Sequence, residues 1–402
     1  MLKGITKRAL SISPSPTLAL DARIKKMRNE GVPVISFGVG EPDFDTPENI
    51  KEAAKKAIDE GFTKYTPAQG TESLRKVICD FYQKKCGIEL MPNNIVVSNG
   101  AKHSLFNIAM ALFEEGDEVI IPAPYWVSYP EQVILMGAKP VIIKTGLEQK
   151  FKITPEQLKN AITSKTKAVI LNSPSNPTGM VYSKEELEEL LKVMLEKDIY
   201  LIADEIYDAL VYDNENYVNV LDIAKYNRTL LEKIIVVNGV SKTYAMTGWR
   251  IGYTISDSRI AKFISDMQSQ STSNPCSISQ KAAEEALSGS QESVQCMLKE
   301  FRKRRDLISS LLDEIKGLNY IKPHGSFYIF PNFTAYIGRS FNGIHIQNTL
   351  KLCEYLLEEA KIGAVPGEAF GAPGYIRFSF ATSEENIIEG MKRLKVALEK
   401  LK

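Results

Sequence analysis

The side chains in this sequence best suited to chemistry sit just past short apolar runs. Lys242 follows Ile234-Ile235-Val236-Val237 within Ser241-Lys242-Thr243, and Arg250 comes soon after in Gly248-Trp249-Arg250. Asp204 ends Tyr200-Leu201-Ile202-Ala203 with Tyr207 three residues beyond it, and Asn176 opens Asn176-Pro177-Thr178-Gly179. A lysine amine can form a Schiff base with an aldehyde, give way to a second amine and then move a proton. A buried carboxylate can keep a neighbouring ring nitrogen protonated by raising its pKa. Arg377 interrupts the alternating pattern Tyr375-Ile376-Arg377-Phe378-Ser379-Phe380. A charge there must be paired if buried, and its planar fork suits a carboxylate. Gly100-Ala101-Lys102 follows Ile95-Val96-Val97 and opens a helical pattern that runs to about Phe113. The first turn of such a helix binds anions through its free amides. Each residue alone has a plainer reading: Lys242 as a surface lysine in a turn, Asp204 as a helix N-cap, Trp126 of Pro124-Tyr125-Trp126 as an interior aromatic.

The elements that must position these groups follow from the apolar pattern. Strand-like runs occur at 95–97, 118–121, 140–144, 168–171, 200–203, 234–237 and 250–255, separated by helical stretches. Short apolar runs alternating with amphipathic helices predict a mostly parallel sheet covered on both faces. Ligands bind beyond the carboxyl ends of such strands, where Asn176, Asp204 and Lys242 fall. Helical stretches near 281–316, 346–361 and 383–401, with strand candidates at 326–330 and 375–380, predict a smaller α+β unit. We expect a large α/β domain over 46–285 and a small domain made of 1–45 and 286–402.

The 402 residues are 44% hydrophobic and 25% charged, the balance of a globular protein with a substantial core. Fifty basic and 49 acidic residues give a net charge of +1, which offers nothing to nucleic acid or an anionic membrane. Five scattered cysteines, with no CxxC pair, predict free thiols in a reducing compartment. No secretory signal or membrane-spanning run is evident, so the expected location is cytoplasmic. Neither a phosphate-binding loop of the G-x-x-x-x-G-K-[ST] type nor a strand-linked G-x-G-x-x-G supports a nucleotide-binding enzyme, and no basic recognition helix supports a DNA-binding regulator.

The ordered set Asn176, Asp204, Tyr207, Lys242 and Arg250 resembles the fold-type I enzymes that use pyridoxal 5′-phosphate (PLP), and within them the aminotransferases. The resemblance runs from Gly38-Val39-Gly40-Glu41-Pro42-Asp43 to Arg377 and is closest to the bacterial subgroup Iγ aspartate aminotransferases. It implies the PLP-transferase fold, with a mostly parallel seven-stranded sheet. It implies Lys242 as Schiff-base lysine and proton carrier, Asp204 at the pyridine nitrogen, and Asn176 and Tyr207 at the phenolic oxygen. Gly100, Ala101, Lys102, Ser241 and Arg250 would bind the phosphate. Trp126 would stack on the ring, and Tyr65 would reach the site of a neighbouring subunit in a homodimer. Arg377 would grip the substrate α-carboxylate, with Gly40 close by.

The resemblance also bears on the substrate. Lys102 stands in a first helical turn, where the macrodipole disfavours a cation and an anionic ligand would compensate. Ser15 matches a hydroxyl that helps bind the distal carboxylate in this subgroup. The stretch Ser271-Thr272-Ser273-Asn274-Pro275-Cys276 lacks the second arginine that other dicarboxylate-specific relatives supply from the partner subunit. Members that also transaminate prephenate tend to have a basic residue where this chain has Ser13. The expected reaction moves the amino group of L-aspartate to 2-oxoglutarate. Prephenate, or an aromatic or neutral amino acid, is the alternative.

Overall fold

The computed structural model of the chain describes residues 4–12, 16–213 and 217–402. Its centre is a seven-stranded sheet. The strands are β1 (Ile95–Ser98), β2 (Glu118–Ala123), β3 (Lys139–Lys144), β4 (Thr166–Asn172), β5 (Tyr200–Asp204), β6 (Ile234–Gly239) and β7 (Gly252–Ile255). They lie in the order β1-β7-β6-β5-β4-β2-β3. Five of them run parallel, from β6 across to β3. β7 is reversed and lies antiparallel to both β1 and β6.

The apolar runs form strands because both sheet faces are buried. Successive residues go to opposite sides: Val169, Leu171 and Leu201 join one hydrophobic cluster, while Ala168, Ile170 and Ile202 join another. Helix α1 (Glu48–Asp59) buries Ile50, Ala54 and Ala57 on one face and packs against α3 (Ser277–Ser288). Helix α2 (Ala101–Leu112) follows β1 directly and packs beside β7 and β6.

A second, three-stranded antiparallel sheet has the order β9 (Val365–Pro366), β10 (Ile376–Ser379), β8 (Tyr328–Ile329). Its aromatic core takes in Phe327, Tyr328, Phe333, Phe378 and Phe380, with Phe301 from α4 (Glu292–Asp313) and Ile387 and Leu394 from α5 (Glu384–Glu399). Ile35–Ser36 pairs in parallel with Ile362–Gly363, and the Ser379 amide donates to Phe37 O at 2.7 Å. The approach to Gly38 and Gly40 is thereby fixed beside β10.

The expected helical stretch at 281–316 is broken at Gly289, so α3 and α4 are separate. The stretch at 346–361 is helical only over Thr349–Tyr355 and continues as a wider π turn over Leu356–Ala360. β7 starts at Gly252 rather than Arg250, because Arg250 holds a left-handed backbone, φ +57°. Residues 205–210 form tight turns rather than a helix, with Asp208 N donating to Glu205 O and Leu210 N to Tyr207 O. Asp204 therefore caps a turn: its Oδ1 accepts from the Ile206 amide at 3.3 Å.

Candidate active site

The carboxyl ends of β4, β5 and β6 lie side by side. Asp204, the last residue of β5, is buried, and its Oδ2 accepts a hydrogen bond from Tyr129 Oη at 2.6 Å. Burial pushes its carboxyl up to about 6, against the opposing pull of the Tyr129 bond. Asn172 ends β4 and ties two segments together. Its Nδ2 donates to Asp204 O at 2.9 Å, and its Oδ1 accepts from the Asn176 amide at 2.7 Å. Asn176 in turn accepts from Arg377 Nη1 at 2.9 Å through its Oδ1.

Lys242 leaves the loop after β6, and its Nζ donates to Gly40 O at 2.6 Å. Burial pulls the amine down to about 8; Arg250 and Arg377 push the same way, while Glu41 and Asp204 oppose. A lysine in that range keeps a neutral fraction near neutrality, as a nucleophile and base requires. Arg377, on β10, is buried and also donates from Nη2 to Gly38 O at 2.8 Å. Its Nε has no partner among the described residues. The guanidinium lies 4.3 Å from the centre of the Tyr328 ring and 5.1 Å from that of Phe370.

A third corner brings a helix start and a guanidinium together. Gly100 caps α2 with φ +86°, which calls for glycine, and a Cβ there would stand 2.2 Å from Arg250 Nη2 and displace the guanidinium. A Cβ at Gly252 would stand 2.2 Å from Ala101 N, because β7 presses against the helix start. Arg250 is held by Thr247 O at 2.8 Å and Asn99 O at 3.2 Å. The amides of Ala101 and Lys102 open the helix and have no intrahelical acceptor. Lys102 Nζ sits 4.9 Å from the centre of the Trp126 ring, and burial, with Arg250, lowers its pKa.

The profile of aminotransferase class I and II matches residues 32–394. The chain belongs to this family. An aspartate/prephenate aminotransferase of Nitrosomonas europaea is 46% identical over 393 residues, 97% of this chain and 98% of that one. An aspartate aminotransferase of Bacillus sp. (strain YM-2) is 46% identical over 394 residues, 98% and 99% of the two chains. The crystal structure of the aspartate aminotransferase from Rhizobium meliloti superposes with a TM-score of 0.95 at 42% identity, covering 99% of both chains. That of the Thermus thermophilus aspartate aminotransferase with maleate gives a TM-score of 0.91 at 38% identity, covering 98% of this chain and all of that one.

This aminotransferase gathers most of the residues expected from its sequence around one cavity of about 390 Å³. Lys242, Asp204, Asn176, Tyr207, Trp126 and Arg377 line it, and so do Gly40, Ala101, Lys102, Ser241 and Arg250. Gly100 lies beneath Arg250 and does not reach the cavity wall. Tyr65 is 91% exposed and is not in the wall. Ser15 and Ser13 lie outside the described residues. The sequence reading missed Tyr129, Asn172, Tyr328, Phe370 and Glu41, which also line the cavity. Signals for two of them existed: Tyr129 lies three residues after Trp126, and Asn172 ends a strand four residues before Asn176. Among the described residues no cluster of His, Cys, Asp or Glu could hold a metal, and no helix is long and apolar enough to cross a membrane.

Proposed function

We propose that this aminotransferase binds PLP and transfers the amino group of L-aspartate to 2-oxoglutarate, giving oxaloacetate and L-glutamate. One observation carries the reading: Lys242, Asp204 and Arg377, far apart in sequence, wall a single cavity. The names of full-length relatives support aspartate as the donor.

The donor set fits PLP. A buried carboxylate, a lysine of lowered pKa, and a helix start joined by a guanidinium match a ring nitrogen, an aldehyde and a phosphate. When bound, PLP supplies an aldehyde to carry the amino group and a ring that withdraws electrons. Asp204 would hold a positive charge at the ring nitrogen. Asn176 and Tyr207 would bind the phenolic oxygen, and Trp126 would cover the ring face. The Ala101 and Lys102 amides, after Gly100, would bind the phosphate with Ser241 and Arg250. Lys242 would bind the aldehyde and, once released, move a proton at the substrate α-carbon. Arg377 would orient the α-carboxylate beside Gly40. Lys102, with Ser15, would receive the distal carboxylate.

The same reading makes the active unit a homodimer in which Tyr65 of the partner subunit completes the phosphate site. The exposure of Tyr65 in the single chain supports this. It takes 46–285 as the PLP-binding domain and 1–45 with 286–402 as the small domain. Prephenate is a second acceptor worth testing, since several relatives carry the name aspartate/prephenate aminotransferase.

The test is the visible absorption spectrum of the protein incubated with PLP, before and after L-aspartate. A visible band that is lost with L-aspartate and restored by 2-oxoglutarate is expected. A band that ignores L-aspartate but responds to another amino acid overturns the substrate. A protein that takes up no PLP overturns the function. Lys242→Ala should abolish turnover.

A further inference from the structure

We propose that Tyr328 is a positioning residue that joins the two halves of this site, acting on Tyr207 through its hydroxyl and on Arg377 through its ring. The inference rests on the reading that Tyr207 faces the phenolic oxygen of PLP and that Arg377 grips a substrate carboxylate.

Tyr328 stands on β8, fully buried, with its hydroxyl 3.0 Å from that of Tyr207. Tyr207 is buried too, and the two rings meet edge to face at 5.8 Å between centres. Each phenol has a single proton. If Tyr207 spends its proton on a group in the cavity, its oxygen is free to accept from Tyr328, and the 3.0 Å contact is then a Tyr328-to-Tyr207 bond. A phenol that accepts one hydrogen bond becomes a stronger donor of its own. Tyr328 therefore strengthens whatever Tyr207 gives to a ring oxygen. That favours the deprotonated form of the oxygen and lowers the pH at which the visible band titrates.

The ring serves a separate purpose. The Arg377 guanidinium lies over the faces of Tyr328 and Phe370. An aromatic face attracts a cation without using any of its N–H donors. Nε and the second proton on each Nη are left for a carboxylate, while Asn176 and Gly38 O fix the remaining two. A Cβ on Gly40 would stand 3.4 Å from the Tyr328 hydroxyl, so the same phenol also bounds the loop that meets Lys242 Nζ. One side chain thus touches the residue assigned to the cofactor and the residue assigned to the substrate.

The two roles separate by substitution. Tyr328→Phe keeps the ring and removes the hydroxyl; Tyr328→Leu removes both. The PLP-loaded dimer of each is titrated from acid to alkaline pH at its visible band. Succinate, a dicarboxylate with no amino group to transfer, is then bound and followed at the same band. We expect Tyr328→Phe to raise the band's pKa by roughly half a unit while succinate affinity stays within about twofold. Tyr328→Leu should raise the pKa and also weaken succinate about fivefold. A Tyr328→Phe titration that superimposes on the parent overturns the hydroxyl role. Equal loss of succinate in both variants overturns the ring role. If the leucine variant does not fold, loss of succinate affinity in the phenylalanine variant still overturns the separation. A parent that takes up no PLP refutes the function itself, and this is seen before any variant is made.

Discussion

Tyr129 donates its hydroxyl to Asp204 Oδ2 across 2.6 Å, with both side chains buried and the Asp204 main chain held by Asn172. The bond opposes the burial that lifts the carboxyl to about 6. Removing it in Tyr129→Phe raises that pKa further, so the carboxylate is lost at a higher pH. Because the proposed chemistry needs Asp204 ionised, the acid limb of kcat/KM for L-aspartate should move up by about one pH unit. A variant that binds PLP yet keeps the parent's acid limb would exclude Tyr129 from this role.

Lys102 should discriminate between substrates. Its Nζ lies over Trp126 at the cavity wall, on an exposed side chain. Lys102→Ala should lower kcat/KM for L-aspartate by ten- to a hundredfold, the loss of one charged hydrogen bond. Activity on L-alanine should change little. Equal losses on both substrates would place the effect at the phosphate instead.

Gly252 should govern cofactor affinity without touching the reacting atoms. A methyl there meets the Ala101 nitrogen at 2.2 Å and the Gly100 carbonyl carbon at 2.5 Å, both backbone atoms. Gly252→Ala must push the start of α2 away from β7. A rise of more than about tenfold in the PLP dissociation constant is expected, read by absorbance titration of a folded variant. Unchanged affinity would detach the helix start from phosphate binding.

Glu205, next to Asp204, does not line the cavity. Its side chain accepts from the Val220 amide at 2.9 Å and from Asn219, and burial lifts its pKa to about 8. A carboxyl with a folded pKa above its ordinary 4.5 holds its proton more tightly when folded. Its stabilising contribution is fully present below about pH 4.5 and is lost as pH rises through about 8. Glu205→Gln has no such proton to lose. Urea unfolding of the two proteins should diverge from about pH 5 upward, by up to about 1.4 kcal/mol per pH unit. Parallel stability curves would mean that Glu205 is ionised in the folded state.

The strands and the residues past their ends were legible because burial on both faces leaves continuous apolar runs; Asp204 ends one such run, and Asn176 and Lys242 fall in the loops just beyond two others. Arg377 was legible because a charge inside an alternating apolar strand demands an explanation. The contacts that tune these groups were not. Tyr129 reaches Asp204 across 75 residues and Tyr328 reaches Tyr207 across 121, and no local period records such a meeting. The three-residue spacing from Asp204 to Tyr207 suits a turn or a helix; an aspartate bonding to the amide two residues ahead favours the turn. The left-handed backbone of Arg250 leaves no signal in the apolar pattern around it.

The reversal of β7 has a mechanical consequence. An antiparallel strand begins at the edge where its parallel neighbours finish, so the link from β6 to β7 needs no crossover helix. Lys242 and Arg250 ride on that one short connection, whereas Asp204 and Arg377 come from separate elements. The Lys242 amine is moored to Gly40 O and the Arg250 guanidinium to Asn99 O, so a single loop is tied down at two points that lie far apart in sequence.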